Sequence, residues 1–145
     1  MAKYRSDDIS LLIPEFRALV EALLVEMRTD GFAPVLRDGL RTRGEAAANA
    51  AKGVGIADSM HLYGIAADII CDEHGWGCAK VGCHFFTALG EHAKALGLTW
   101  GGDWRRRDLP HVQMVPVGWQ TRIRRAGSPE AVGAVCRQWL ARGRR

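Results

Sequence analysis

Two histidines and an aspartate that are far apart in the chain, yet make chemical sense only together, constrain this sequence most. His111 sits in the stretch Leu98-Thr99-Trp100-Gly101-Gly102-Asp103-Trp104, three arginines at 105–107, then Asp108-Leu109-Pro110-His111-Val112-Gln113. A carboxylate three residues before a histidine, with Pro110 restricting Leu109 to extended geometry, can place a general base beside a metal site. His111 needs partners, and they lie upstream in Ser59-Met60-His61-Leu62-Tyr63-Gly64-Ile65-Ala66-Ala67-Asp68. Along the strand expected there, period two puts Gly64, Ala66 and Asp68 on one face, and the small residues leave room for an approach to Asp68.

Two histidines and a carboxylate form a three-ligand zinc set with a fourth position open to water, which separates catalytic from structural zinc sites. His61, Asp68 and His111 supply such a set, for one catalytic ion. Asp108 is then placed to take a proton from water and hand it to the leaving amine of an amide. Arg41 stands at a strand-to-helix junction, where its guanidinium can grip a carboxylate or a developing oxyanion. Spacing alone also fits a histidine capping a turn, an aspartate paired with an arginine, and a surface Arg41.

Around these residues the pattern predicts mixed structure. A helix capped by Ser10 runs to about Arg28 and ends at Gly31, with Pro14 in its first turn. Phe32 to Leu40 reads as a strand broken at Asp38-Gly39, followed by an alanine-rich helix over 43–52 and a glycine-containing loop to Ser59. Phe85, Phe86, Leu89, Ala93 and Leu96 mark a helix from about Val81 that stops at Gly97. Strands follow at Leu98–Trp100 and His111–Val115, and Ser128-Pro129-Glu130 opens a last helix to about Ala141.

A length of 145 residues with 48% hydrophobic and 25% charged residues fits one globular domain spanning 1–145. Residues 1–100 hold 10 Lys/Arg against 13 Asp/Glu, whereas 101–145 hold 10 against 3. The basic half suits an acidic partner, with nucleic acid, anionic lipid and an anionic wall polymer all fitting the charge, or is a solvated helix and tail. Nucleic acid is disfavoured, because no aromatic-basic interleaving of the strand-binding kind is present. Charges in Met1–Asp8 leave no readable signal peptide, and Pro14, Glu15, Arg17 and Glu21 rule out a span in the first apolar segment, so neither export nor membrane insertion is expected. The four cysteines read as mostly buried thiols, with a second zinc site conceivable among Cys71, His74, Cys78, Cys83 and His84.

The pattern Ser59-x-His61-x-x-Gly64-x-Ala66-x-Asp68, followed by Trp100-Gly101-Gly102-Asp103-Trp104 and Asp108-x-Pro110-His111, resembles the zinc D-Ala-D-Ala carboxypeptidase family. Within it the similarity is greatest to the L-alanyl-D-glutamate endopeptidases that serve as phage endolysins. The resemblance implies an α+β fold, a small antiparallel sheet packed with helices and related to the hedgehog domain. It implies zinc at His61, Asp68 and His111, catalysis by Asp108 with Arg41, and substrate binding by Arg41, Ser59, Trp100 and Gln113. The implied substrate is the stem peptide of bacterial peptidoglycan, most directly its L-Ala-D-Glu bond. The implied setting is a monomeric lytic enzyme made in a host bacterial cytoplasm that reaches the wall after release. A D-Ala-D-Ala carboxypeptidase or dipeptidase, or a zinc-containing wall-binding module, are the alternatives. One departure is Leu40, where family members often carry tyrosine before the arginine.

Overall fold

The computed structural model describes residues 7–41, 59–78 and 83–142. The predicted alanine-rich helix over 43–52 and the glycine-containing loop after it lie outside those residues, apart from Ser59 at the loop's end.

Helix α1 (Pro14–Thr29) buries Phe16, Val20, Leu23, Leu24 and Met27, the apolar stripe that its spacing predicts. Its start differs from the expected one. Asp8, not Ser10, is the local cap, accepting from the Ser10 amide at 3.0 Å and the Ser10 hydroxyl at 2.6 Å to form a 3-10 turn over Ile9–Leu11. The α-helix then begins at Pro14, whose fixed φ suits the first helical position and whose missing N–H would be unpaired there anyway.

Four short strands, β1 (Pro34–Asp38), β2 (Ala66–Cys71), β3 (Thr99–Trp100) and β4 (His111–Gln113), form an antiparallel sheet in the order β1-β2-β4-β3. Each is shorter than or offset from its predicted span. Gly64 lies outside β2 because it takes φ +70°, closing the 3-10 turn Met60–Tyr63. The register decides the site: Asp68 stands opposite His111 on β4 and, across a bulge in β1, opposite Asp38.

Helix α2 (Phe85–Ala95) ends just before Gly97, at φ +84°. A 3-10 turn at Val117–Trp119 leads into α3 (Gln120–Ala126), a helix the sequence reading did not anticipate. Helix α4 (Pro129–Arg142) has the expected cap, the Ser128 hydroxyl accepting from the Ala131 amide at 3.1 Å. One continuous core joins these elements, with Phe16, Leu23, Met27, Ile69, Phe85, Leu89, Val112 and Met114 all fully buried. Among the described residues the result is α+β, four helices with a four-stranded antiparallel sheet.

The cysteines need a correction. Cys78 and Cys83 are joined as a disulfide, while Cys71 and Cys136 are the buried free thiols. With two of its thiols spent, the conceivable second zinc cluster does not form among the described residues. No helix among them is long and apolar enough to cross a membrane.

Candidate active site

Cross-strand pairing brings together what the sequence keeps apart. Residues directly opposite on antiparallel strands hold their Cβ atoms about 4.5–5.5 Å apart, and Asp68 and His111 are such a pair. His61 arrives from the turn before β2, which Ser59 caps by accepting from the His61 amide at 3.2 Å. One ligand atom each from His61, Asp68 and His111 lies within 4.8 Å of the others. Among the described residues this is the one cluster of its kind.

Both histidines are nearly buried, at 3% and 6% exposure. The His61 Nδ1 is 2.8 Å from the Gly39 carbonyl, so it donates there and turns Nε2 toward Asp68 Oδ2, 3.6 Å away. The His111 Nε2 is 2.8 Å from Gln113 Oε1, and its Nδ1 is 3.3 Å from Asp68 Oδ1. Burial acts against ionisation of Asp68, but hydrogen bonds and charge from His111 and His61 outweigh it and hold the carboxyl well below its usual range. Burial likewise opposes charge on His111, yet Asp68 and Asp108 raise its pKa. Asp68 Oδ1 has no hydrogen-bond partner. Two imidazole nitrogens and one carboxylate oxygen gathered this closely are a donor set that zinc takes.

Asp108 Oδ2 is 3.8 Å from His111 Nδ1, and about half of its side chain remains exposed. Burial raises its pKa, helped by the charge of Asp68 and opposed by His111, His61 and Arg41. The backbone holds it: the Asp108 amide donates to Gly101 O at 2.9 Å, and the His111 amide donates to Asp108 O at 3.2 Å. Gly101 has to be glycine for that approach, since a Cβ there would stand 2.5 Å from Asp108 O and 3.1 Å from the His111 Cβ.

Arg41 is buried at 7% exposure, its guanidinium paired with Asp38 and its amide donating to His61 O at 3.0 Å. Burial raises the Asp38 pKa despite the attraction of His61 and Arg41. Arg41 Nε and Asp38 Oδ1 are without hydrogen-bond partners.

Three residues expected to bind substrate have other positions. Ser59 is buried as a turn cap. Trp100 lies so close over Gly90 and Gly102 that a Cβ on either would fall within 2.4 Å of its ring, and its Nε1 donates to Leu109 O at 2.7 Å. It braces the segment that carries Asp108. Gln113 is 1% exposed and spends its amide on His111, Val115 and Gln120. Trp104 went without a role in the sequence reading, although it ends the tryptophan-glycine motif; its ring is 5.0 Å from that of His111.

The D-alanyl-D-alanine carboxypeptidase family matches residues 52–114, which include His61, Asp68, His111 and Asp108. The peptidoglycan L-alanyl-D-glutamate endopeptidase CwlK of Bacillus subtilis is 39% identical over 69 residues, covering 41% of this chain. The chain likewise spans only 41% of that relative's length. The crystal structure of the L-Ala D-Glu endopeptidase ChiX of Serratia marcescens shares the fold, with a TM-score of 0.57 at 20% identity over 78% of this chain and 87% of that one. Over its matched segment this chain is similar to the D-alanyl-D-alanine carboxypeptidase family of peptidases, and it shares the fold of ChiX.

Proposed function

We propose that this protein is a zinc-dependent peptidoglycan peptidase that hydrolyses the L-Ala-D-Glu bond of the stem peptide. The observation that carries the reading is the convergence of ligand atoms of His61, Asp68 and His111 within 4.8 Å of one another, beside a half-exposed Asp108. Those three residues would hold the ion, and zinc when bound supplies a Lewis acid and brings the pKa of water toward about 7. Asp108 accepts the proton of the attacking water on its carboxylate and passes it to the leaving amine; a raised pKa makes it the stronger base. Arg41, held by Asp38, adds positive charge near the wall of the site, and Trp104 shields one side of His111.

The names of CwlK and ChiX support the L-Ala-D-Glu bond, while the family description favours the D-Ala-D-Ala bond as the second reading. Digestion of purified peptidoglycan, with and without chelator and with zinc restored, tests both. New L-alanyl C-termini that vanish with chelation are expected; released D-alanine would move the assignment to the carboxypeptidase, and no metal-dependent cleavage would leave a binding module. The motif resemblance to phage endolysins further supports a lytic role, with the enzyme made in the host cytoplasm and reaching the wall after release. Co-expression with a membrane-permeabilising holin should then lyse cells, and the protein alone should not.

A further inference from the structure

We infer that Gln113 and Gln120 are positioning residues that set the tautomer of His111, so that its ring offers Nδ1 to the metal. The inference rests on the metallopeptidase reading for its purpose but not for its geometry. The fixed point is a backbone carbonyl. Val115 O can only accept, so the Gln113 atom 2.7 Å from it is the amide nitrogen. The same nitrogen is 2.9 Å from Gln120 Oε1, which takes its second hydrogen. Gln113 Oε1 is thereby left facing His111 Nε2 at 2.8 Å, and an oxygen there requires that Nε2 carry the proton. The bare nitrogen of a neutral His111 is then Nδ1, the atom facing Asp68 and Asp108.

The two histidines are held in opposite tautomers by the same means. For His61 the carbonyl of Gly39 acts directly on Nδ1 and frees Nε2; for His111 the carbonyl of Val115 acts through an amide. His111 lies on β4 two residues from Gln113, with both side chains on one face, so the amide reaches its ring. Gln113 has no freedom to turn: at 1% exposure it cannot exchange its partners for bulk water, and a flipped amide would set oxygen against Val115 O and Gln120 Oε1. Gln120 is the first residue of α3, beyond the segment 52–114 that matches the family. The C-terminal part of this chain thus contributes to the metal site without supplying a ligand.

Nitrogen-15 NMR of the imidazole rings in metal-free protein, at a pH where His111 is neutral, reads the tautomer with neither zinc nor substrate, and zinc affinity is measured by chelator competition. Wild type is expected to show His111 protonated on Nε2 and His61 on Nδ1. Gln113→Leu should give a mixture at His111 and weaken zinc about 10–100-fold, the usual cost of losing a partner behind a metal ligand. Gln120→Leu, on the partly buried rim, should shift both in the same direction by less, and Gln120→Glu, which keeps an acceptor, should restore them. A wild-type His111 protonated on Nδ1 would overturn the inference. So would wild-type tautomer and affinity in folded Gln120→Leu and Gln113→Leu. A protein that hydrolyses no wall yet shows the expected tautomers loses the peptidase reading while keeping the positioning one.

Discussion

The α1–α2 interface and the corner where β1, β2 and β4 meet are both buried, and they are satisfied in opposite ways. On the helix side Phe16, Leu23, Met27, Phe85 and Leu89 are fully buried in one apolar cluster, and Phe85 packs edge-on against Phe32 and Phe86. That side needs nothing from outside. The sheet corner buries His61, His111, Asp38, Arg41 and Gln113, and three of its polar atoms have no partner. Unpaired buried polar groups cost about 1–3 kcal/mol each, so the apolar side has to sustain a corner that is incomplete by itself. The difference teaches that stability and chemistry reside in separate parts of one core, and that each can be perturbed with limited damage to the other.

Replacing a ligand should give the largest effect on the polar side. His111→Ala is expected to lose metal binding and hydrolysis together, whereas Asp108→Asn keeps the metal and loses about 10²–10⁴ in turnover, as for removal of a general base. Metal content and cleavage rate measured on the same samples separate the two. An Asp108→Asn protein with near-normal turnover would take Asp108 out of the mechanism.

On the apolar side, Phe16→Ala should cost about 3–5 kcal/mol of stability, read by denaturant unfolding. Metal affinity of the folded fraction should stay unchanged; a parallel loss would mean that the two regions are not separable.

Gly101→Ala probes the seam between them. Its Cβ would press on Asp108 O, and displacement of the base by an ångström can cost about 10²-fold in rate. Overpacking itself costs about 1–3 kcal/mol of stability, a comparable free energy, so turnover is measured where the variant stays fully folded and is expected to fall about 10²-fold there. Equal, small effects on both would show that the segment yields without moving Asp108.

The smallest effect concerns pH. His92 on α2 bonds Asp30, the C-cap of α1, at 2.5 Å and Glu26 on α1 at 2.9 Å. The Asp30 bond, with help from Glu26, raises its folded pKa above the unfolded value against partial desolvation. The clamp's stabilisation is therefore complete below the unfolded pKa and fades as pH rises through the raised one. Wild type should lose its melting-temperature advantage over His92→Gln across that interval, and a pH-independent gap would refute the charged clamp.

Much of this was legible in the chain. Phe16 to Met27 and Phe85 to Ala93 have the helical spacing of buried stripes, although Leu11, expected in the first, is exposed in the turn before it, and the Ser128-Pro129 start of α4 carries its own cap chemistry. His61, Asp68, His111 and Asp108 could be picked out because their order and spacing match a family motif; spacing alone also fits a turn-capping histidine and a paired aspartate. Local signals misled where two residues compete for one role, as at Ser10, where Asp8 caps instead, and at Cys78 and Cys83. Helix α3 escaped notice because Gln120–Ala126 is too short and too rich in arginine to show an apolar stripe; Ile123 is its one buried residue.

The sequence by itself determined the composition of the core, the approximate extents of the long helices, and which residues have the chemistry of a metal-dependent hydrolase, because periodicity and side-chain type are local properties. Register did not belong to that list. Only the tertiary structure decided that Asp68 faces His111, that Gly39 and Val115 orient the two imidazoles, and that Ser59, Trp100 and Gln113 brace the site. Those assignments depend on which backbone carbonyl meets which side chain across strands distant in the chain, and no stretch of sequence carries that information alone.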